Sequence, residues 1–239
     1  KWHDSAGDHQ TLALPSLEEV ENDTRSFALM TRRIHRETNA FNARRLVQGH
    51  GDRRFVVSPP DLPLSTPELD ALHNLTYSRA PHPRYREPIP AWETIRHSVQ
   101  IMRGCFGGCT FCSITLHQGR PIQSRSPESV LAEIQQIAET PGFGGHISDL
   151  GGPTANMYRM RCSKPEVEKI CRRQSCVHPT VCKLLDTSHK PLIALMCSSR
   201  ELERVTKISI ASGIRMDLAR LDGEYLDELV EHHVGGHLK

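Results

Sequence analysis

Residues 98–115 decide how this sequence is interpreted, and they read SVQIMRGCFGGCTFCSIT. They contain three cysteines spaced C-x3-C-x2-C, Cys105, Cys109 and Cys112, after an alternating apolar run that is typical of a strand. The glycines among them let the loop wrap tightly and turn backbone amides inward. Three thiolates on one loop can bind three irons of a cubane iron–sulfur cluster, which leaves the fourth iron open for chemistry.

The same stretch resembles the radical SAM superfamily signature C-x3-C-x-aromatic-C, with Phe111 as the aromatic residue. The resemblance implies a [4Fe–4S] cluster on the three cysteines, with S-adenosylmethionine bound to its open iron and seated with the help of Phe111. In that superfamily the reduced cluster cleaves the cofactor to a 5′-deoxyadenosyl radical, so a flavodoxin- or ferredoxin-type electron donor is also implied. A zinc knot is the alternative, although zinc sites usually use two C-x2-C pairs.

The composition narrows the class of protein. The 239 residues, 37% hydrophobic and 24% charged, suit one large domain or two small ones. A net charge of +2 neither favours nor excludes a nucleic-acid partner. Eight clustered cysteines in a chain of this length indicate reduced, metal-binding thiols, so we expect a cytoplasmic protein. No run of 18 apolar residues occurs, and we expect no membrane association.

The first predicted segment, residues 1–54, is helical and forms the tail of a preceding domain. Ser16 and Glu19 form a capping box that begins a helix extending to about Arg45, with an interruption near Asn22 and Asp23 as the alternative. Its basic residues indicate a solvated helix face, which is the usual role of charged residues. An RNA- or phosphate-binding face is the alternative, although no aromatic residues are interleaved to stack on bases. These basic residues are Arg25, Arg32, Arg33, Arg36, Arg44 and Arg45.

The second predicted segment, residues 55–95, is a proline-rich connector. It holds a short strand over 55–57 and a helix over 66–75. The third segment, residues 96–239, is an incomplete radical SAM domain.

Strands and helices alternate through this third segment. We predict strands over 146–150 and 207–212, helices from Ser126 and over 192–205 and 221–233, and a fourth strand opening at His237. The fold class is therefore α/β, a partial (βα) radical SAM barrel of about four strands after a helical and proline-rich N-terminal segment. Functional groups in such barrels lie at the carboxyl ends of strands.

Candidate cofactor-binding residues follow two of these strands. Gly151 and Gly152 resemble the superfamily's GGE motif, whose backbone binds the methionine amino group, although a proline stands where the family has glutamate. An ordinary tight turn is the alternative. Ser212 and Arg215 are candidates for the cofactor's ribose or carboxylate, but Arg215 could instead pair with a local acid such as Asp217.

A predicted cysteine-rich insertion over residues 160–184 is a candidate second metal centre, iron–sulfur or zinc. Its spacing is C-x8-C-x4-C-x5-C, from Cys162, Cys171, Cys176 and Cys182. Free structural cysteines or a redox disulfide are the alternatives. Basic neighbours are expected to lower the pKa of these thiols. Cys197 lies in an apolar helical run and is interpreted as core.

A narrower resemblance covers nearly the whole chain. The phrases SVQIMRGCFGGCTFCSIT, SDLGGPTANMYRM and CRRQSCVHPTVCK resemble the YgiQ-type radical SAM proteins. In that family a cobalamin-binding-like domain precedes the radical SAM domain and more barrel follows, so we expect an internal fragment that is inactive alone. The sequence identifies neither the substrate nor any catalytic acid or base. The alternative functions are a zinc- or iron–sulfur-stabilised RNA-binding or interaction module, and an RNA-modifying radical SAM enzyme.

Overall fold

The computed structural model describes residues 11–235, which fold into two compact units. The first unit comprises residues 11–63, 106–121 and 164–182. The second unit comprises residues 64–105, 122–163 and 183–235. Each unit is therefore assembled from three separate stretches of chain, and contacts rather than chain order define it.

The helices and strands are short. In the N-terminal half they are β1 (Thr11–Ala13), α1 (Leu17–Asn22), α2 (Thr24–Arg36), β2 (Arg45–His50), β3 (Arg53–Val57), α3 (Thr66–His73), α4 (Pro90–Ile95), β4 (Ser98–Gln100), β5 (Met102–Arg103) and α5 (Ile114–Gln118). In the C-terminal half they are β6 (Gln123–Ser124), α6 (Pro127–Ala138), β7 (His146–Ile147), β8 (Asp149–Gly151), α7 (Pro165–Ile170), α8 (Lys190–Arg200), β9 (Lys207–Ile208), α9 (Met216–Ala219) and α10 (Gly223–Glu228). A 3₁₀ turn (Ala155–Met157) follows β8, and a π-helical turn (Leu229–His233) continues α10.

The first unit contains a three-stranded sheet in the order β1-β2-β3, parallel between β1 and β2 and antiparallel between β2 and β3. The capping box predicted at the start of α1 is confirmed. Ser16 Oγ accepts a hydrogen bond from the Glu19 amide at 3.2 Å, and the Glu19 carboxylate accepts one from the Ser16 amide at 2.7 Å. These two bonds satisfy amides that the helix itself leaves unpaired.

The predicted extension of this helix to Arg45 is wrong. The helix is interrupted at Asp23, which caps a second helix, α2, and α2 ends at Arg36. The buried carboxylate of Glu37 then accepts hydrogen bonds from the Arg44 amide at 2.7 Å and from Arg44 Nη2 at 2.6 Å. A seven-residue bridge of this kind closes a loop and reverses the chain, so Arg45 begins β2. The segment predicted as helical therefore contains strands as well.

The second unit contains three parallel strands. β4 pairs with β8, and β7 pairs with β9. β7 and β8 are one strand interrupted at Ser148, because the amide of Leu150 in β8 donates to Ser209 O, just after β9, at 2.9 Å. Between β4 and β7 the chain forms β5, α5, β6 and α6, and β5 pairs with β6 in an antiparallel arrangement. Between β8 and β9 it forms the 3₁₀ turn, α7 and α8. The unit is mixed α/β with small sheets and no closed barrel within residues 11–235; the predicted fourth strand at His237 lies outside the described residues.

Helix α6 anchors the core of the second unit. Ser126 Oγ accepts a hydrogen bond from the Ser129 amide at 3.1 Å, so the predicted serine cap is confirmed. Val130, Ile134 and Ile137 are buried along one face of the helix. Their spacing at i, i+4 and i+7 is that of an amphipathic helix, and it follows directly from the sequence.

Two predicted elements are shorter or displaced. The strand predicted over 207–212 ends at Ile208, and the helix predicted over 192–205 is α8, Lys190–Arg200. Ser209 still exchanges backbone hydrogen bonds with Ile147 and Leu150. Beyond it the chain leaves the ladder, because Ala211 and Ser212 bond to the Asp149 side chain and Arg215 bonds to Asn156.

The segments around the strands also group in an unexpected way. α3, close to its predicted bounds, packs in the second unit, where Thr66 Oγ1 donates to Ser124 O at 2.9 Å. The cysteine-rich segment from Lys164 onward packs in the first unit, where Asn39 Nδ2 donates to Cys171 O at 2.9 Å. Within residues 11–235, no helix has the length and apolar character that crossing a bilayer requires.

Candidate metal and cofactor site

Cys105 lies in the second unit, two residues after β5. Gly104, before it, has a left-handed backbone with φ of +88°, a conformation that glycine adopts without strain. The Cys105 side chain is buried, and its Sγ lies 3.8 Å from Thr154 Oγ1. Thr154 belongs to the turn that follows Gly151 and Gly152, so this cysteine and the double-glycine strand end are brought together.

Packing within the protein requires glycine at positions 151 and 152, because neighbouring atoms leave no room for a Cβ. A Cβ on Gly151 would overlap Ser212 Oγ, and a Cβ on Gly152 would lie 2.6 Å from Met102 Sδ and 2.9 Å from Met102 O. The Gly152 amide donates to Ser212 Oγ at 3.2 Å, while the Gly151 carbonyl accepts from the Ile101 amide at 2.8 Å. The close backbone approach expected at these glycines is therefore made, in this structure, by neighbouring strands and loops.

Asp149 organises the ends of β8 and β9, and the sequence analysis missed it. One of its carboxylate oxygens accepts hydrogen bonds from the amides of Ala211 at 2.8 Å and Ser212 at 3.0 Å. The other oxygen accepts a hydrogen bond from Ser212 Oγ. The available signal was an acid two residues before the double glycine, near the end of a predicted strand.

Arg215 binds a local carboxylate. Its guanidinium Nε donates to Asp217 Oδ1 at 2.9 Å, and its Nη2 binds the other oxygen of the same carboxylate. Burial would raise the pKa of Asp217, but the hydrogen bond and charge of Arg215 outweigh it and hold that pKa below its usual range. The backbone of Arg215 is also fixed, since its amide and carbonyl both bond to the buried Asn156 side chain, at 2.8 and 3.0 Å.

Asn156 is a second residue that the sequence analysis missed. It lies in the 3₁₀ turn after β8, is fully buried, and donates to His189 Nε2 at 3.3 Å. His189 stacks on Tyr225 with ring centroids 4.3 Å apart, and burial lowers the pKa of His189 despite Asp222 nearby. A buried neutral imidazole thus supports the asparagine that holds the loop after β9.

Cys109 and Cys112 lie in the first unit, at the other end of the cysteine loop. The Cys112 amide donates to Cys109 O at 3.1 Å, which closes a turn, and the Ile114 amide donates to Cys112 Sγ at 3.5 Å. Phe111 lies between the two cysteines with its side chain 91% exposed. Gly108 has φ of +61°, and a Cβ there would overlap Gln174 O, so the loop requires glycine at this position.

The donor set of this loop fits an iron–sulfur cluster by its chemistry. None of the three cysteines is in a disulfide, and thiolates are the ligands that such clusters use. Among residues 11–235, no three side chains of histidine, cysteine or acids are arranged to hold a metal ion. The assignment of Cys105, Cys109 and Cys112 to one cluster therefore rests on the residue types and their spacing.

One thiol of the cysteine-rich segment, Cys176, departs from the expected pKa. Cys176 is tied to the cysteine loop, since its amide donates to Phe106 O at 3.0 Å, and its carbonyl accepts from the Cys182 amide at 2.7 Å. Burial raises the pKa of Cys176 to about 11, and the charges of Arg120 and Arg173 only partly oppose this. The expectation that basic neighbours would lower the pKa is wrong for this thiol, because desolvation dominates.

The four cysteines of that segment are distributed over both units. Cys171, Cys176 and Cys182 lie in the first unit, where Cys171 and Cys182 also influence the pKa of Cys176. Cys162 lies in the second unit, in a β-bridge with Leu185. Arg120, which follows the cysteine loop, is buried and donates to the carbonyl oxygens of Arg173 and Cys171.

The sequence is similar to known proteins along nearly its whole length. The Radical SAM N-terminal family matches residues 2–98. The UPF0313 protein of Bradyrhizobium diazoefficiens is 57% identical over 230 residues, which cover 95% of this chain and 34% of that protein. The UPF0313 protein of Chromobacterium violaceum is 56% identical, with coverages of 95% and 30%.

A third relative, the UPF0313 protein YgiQ of Escherichia coli, is 55% identical over 228 residues, with coverages of 95% and 31%. This chain thus spans about a third of the length of the curated relatives it matches. The matches agree with the resemblance that the cysteine loop and the double-glycine turn carry. The chain belongs to the YgiQ-type UPF0313 family of radical SAM proteins.

Proposed function

We propose that this chain carries the cofactor-binding part of a radical SAM enzyme. Cys105, Cys109 and Cys112 would hold a [4Fe–4S] cluster, and the ends of β8 and β9 would face S-adenosylmethionine. Family membership supports the class of enzyme, and the residue types and spacing of the three cysteines support the ligand set. Reduced thiols of this kind require a reducing compartment, so we place the protein in the cytoplasm.

One observation carries the proposal. The buried thiol of Cys105 lies 3.8 Å from Thr154 Oγ1, in the turn directly after the double glycine. The first predicted cluster ligand and the predicted methionine-binding turn are 46 residues apart in sequence, counted from Cys105 to Gly151, yet they are neighbours in the second unit. Radical SAM chemistry requires this proximity, because the cofactor must reach the cluster.

The protein residues would act mainly by positioning. Asp149 and Ser212 fix the turn through the Gly152 amide, so the backbone that faces the cofactor is rigid before binding. Arg215 is engaged by Asp217, and a cofactor carboxylate would have to share this guanidinium with it. Phe111 is exposed and available to contact a ligand.

When bound, the cluster supplies the electron that cleaves S-adenosylmethionine and yields the 5′-deoxyadenosyl radical. A donor of the flavodoxin or ferredoxin type would deliver that electron. The substrate is unassigned. The second cysteine group, Cys162, Cys171, Cys176 and Cys182, stays a predicted centre for iron–sulfur or zinc.

Anaerobic reconstitution of the full-length protein with iron and sulfide tests the proposal. We expect visible absorption of a cluster and reductive formation of 5′-deoxyadenosine from S-adenosylmethionine, both lost in Cys109→Ala. Cys197→Ala is the matched control, because Cys197 lies in α8, outside the cysteine loop. A colourless wild-type protein that holds stoichiometric zinc would contradict the proposal and favour the zinc-stabilised module.

A further inference from the structure

A cleft of 760 Å³ opens within the first unit, beside the cysteine loop. This volume is in the range of small-molecule sites. Three segments of the unit meet there: α2, the cysteine loop and the cysteine-rich segment. The side chains that concern its chemistry are Phe27, Arg32, His35, Arg36, Thr110 and Arg172.

The cleft is positively charged. Three arginines line it, and none of its lining residues is acidic. Arg32 and Arg36 are four residues apart on α2, a like-charge spacing that destabilises a helix. The C-terminal dipole of α2 favours cations in its last turn and accounts for Arg36. It does not account for Arg172, which comes from a different segment and adds to the same charge.

Arg172 is held in place before any ligand binds. Its Nη1 donates to Glu37 Oε1 at 2.9 Å and its Nη2 donates to Asn42 O at 2.5 Å, while its side chain stays 42% exposed. Glu37 also binds Arg44, so one carboxylate is shared by two guanidiniums. A positive excess therefore remains at this wall of the cleft, on a side chain whose position is already fixed.

An aromatic ring and a rigid floor complete the cleft. Phe27, on α2, is 53% exposed, and an exposed aromatic face can stack on a nucleobase. Gly108 and Gln174 line the floor, where the left-handed glycine lets the cysteine loop contact the Gln174 backbone closely. Phe27, Arg32 and Arg36 thus line the cleft from α2, and Arg172 lines it from the cysteine-rich segment.

We propose that this cleft binds a nucleoside phosphate, with Arg32, Arg36 and Arg172 binding the phosphate and Phe27 stacking on the base. Arginine suits this role because its planar guanidinium donates two parallel hydrogen bonds to phosphate oxygens. The ligand is either a free nucleotide or one nucleotide of an RNA strand, since both present the same chemistry. The site lies in the first unit and does not depend on the proposed cluster chemistry.

Titration of the full-length protein with AMP tests the proposal, in the presence of saturating S-adenosylmethionine so that its own site is filled. We expect the double substitution Arg32→Gln and Arg36→Gln to weaken AMP binding by about tenfold or more, because charged hydrogen bonds are lost. Arg25→Gln is the matched control, since Arg25 is exposed on the same helix and does not line the cleft. Circular dichroism of both variants shows whether α2 still forms.

Further experiments distinguish base binding from phosphate binding, and a free nucleotide from RNA. Phe27→Ala should weaken AMP binding about fivefold and leave inorganic phosphate binding unchanged, because only the base stacks. If RNA is the occupant, a single-stranded tetranucleotide binds more tightly than AMP. The slope of its log affinity against log salt then falls by about 0.7 for each arginine removed. Equal affinities identify a free nucleotide.

Two results would overturn the proposal: AMP binding that is unchanged in the double variant, or AMP binding no tighter than that of adenosine. The outcome is independent of the radical chemistry, because Cys105→Ala, in the second unit, should lose the cluster and keep AMP binding. In the wild-type protein, AMP binding without cofactor cleavage would refute the proposed function alone.

Discussion

Helices α2 and α6 have nearly the same length, 13 and 12 residues, but opposite relations to the protein interior. α6 buries Val130, Ile134 and Ile137 in the second unit, whereas α2 has no buried residue. α6 is therefore held by its packing, and most substitutions there should affect stability. α2 is held by its cap and by partly exposed contacts, which leaves its arginines available to bind a ligand.

A pair of buried glutamates shows the same contrast. Glu133, in α6, binds Arg125, whose side chain is 1% exposed, and also Arg79. Glu37, after α2, binds Arg44 and Arg172, whose side chains are 38% and 42% exposed. The two carboxylates have similar partners, but only Glu133 neutralises a guanidinium that water cannot reach.

The largest expected effect is on stability, and it tests this contrast at the two glutamates. Glu133→Ala should lower the free energy of unfolding by about 3–5 kcal/mol, because Arg125 would remain buried without its countercharge. Glu37→Ala should cost only about 1 kcal/mol, since its arginines can be hydrated. Urea unfolding of both variants measures the difference, and equal losses would refute the distinction between the two units.

A smaller effect sharpens the comparison at two isoleucines. Ile134→Ala should cost about 2–4 kcal/mol, because the side chain is fully buried and its removal leaves a cavity. Ile34→Ala, on α2, should cost less than about 1.5 kcal/mol, because Ile34 is only partly buried. The same urea titrations apply, and a cost at Ile34 as large as that at Ile134 would show that α2 packs against a core.

The smallest expected effect is the pH dependence of stability. Burial lowers the pKa of His189 in the second unit, so the unfolded chain takes up its proton first as the pH falls below 6.5. Stability should therefore be full above that pH and decline below it. In the first unit, burial raises the pKa of Glu37, but the Arg44 hydrogen bonds and the Arg172 charge lower it overall, so its contribution is lost only below the ordinary value of 4.5.

Thermal unfolding across about pH 7.5 to 5.5 measures the histidine contribution, because an ordinary histidine titrates in that range. His189→Gln should reduce the decline in this interval. Glu37→Ala is the control, since its titration lies at lower pH and should leave the decline unchanged. A wild-type stability that rises as the pH falls through this interval would contradict the buried neutral state of His189.

Local signals made much of the fold predictable. The caps at Ser16 and Ser126 were identified from residues three positions apart, and both form, because a capping bond needs only the first turn of a helix. Strand β2 was missed because the chain reverses through Glu37 and Arg44. The pairing of β2 with β1 also depends on residues more than thirty positions away, which no local periodicity reports.

The residue types of the candidate site were predictable from the sequence, but their contact partners were predictable only in part. The cysteines and the double glycine were found from their spacing, whereas Asp149 and Asn156 were not, because each acts on a loop about sixty residues away. Cys176 shows the limit most clearly: its basic neighbours are visible in the sequence, but the burial that decides its pKa is not.

The sequence by itself determined the family of this protein, its set of thiols and the ends of its capped helices, because residue identity and short spacing carry that information. Only the tertiary structure decided that Cys105 lies beside the turn after Gly152, that Asp149 fixes the end of β9, and that Arg32, Arg36 and Arg172 face one cleft. These relations depend on contacts between distant segments and on which groups lose their water. Neither the long-range contacts nor the burial of these groups is a property of the local sequence.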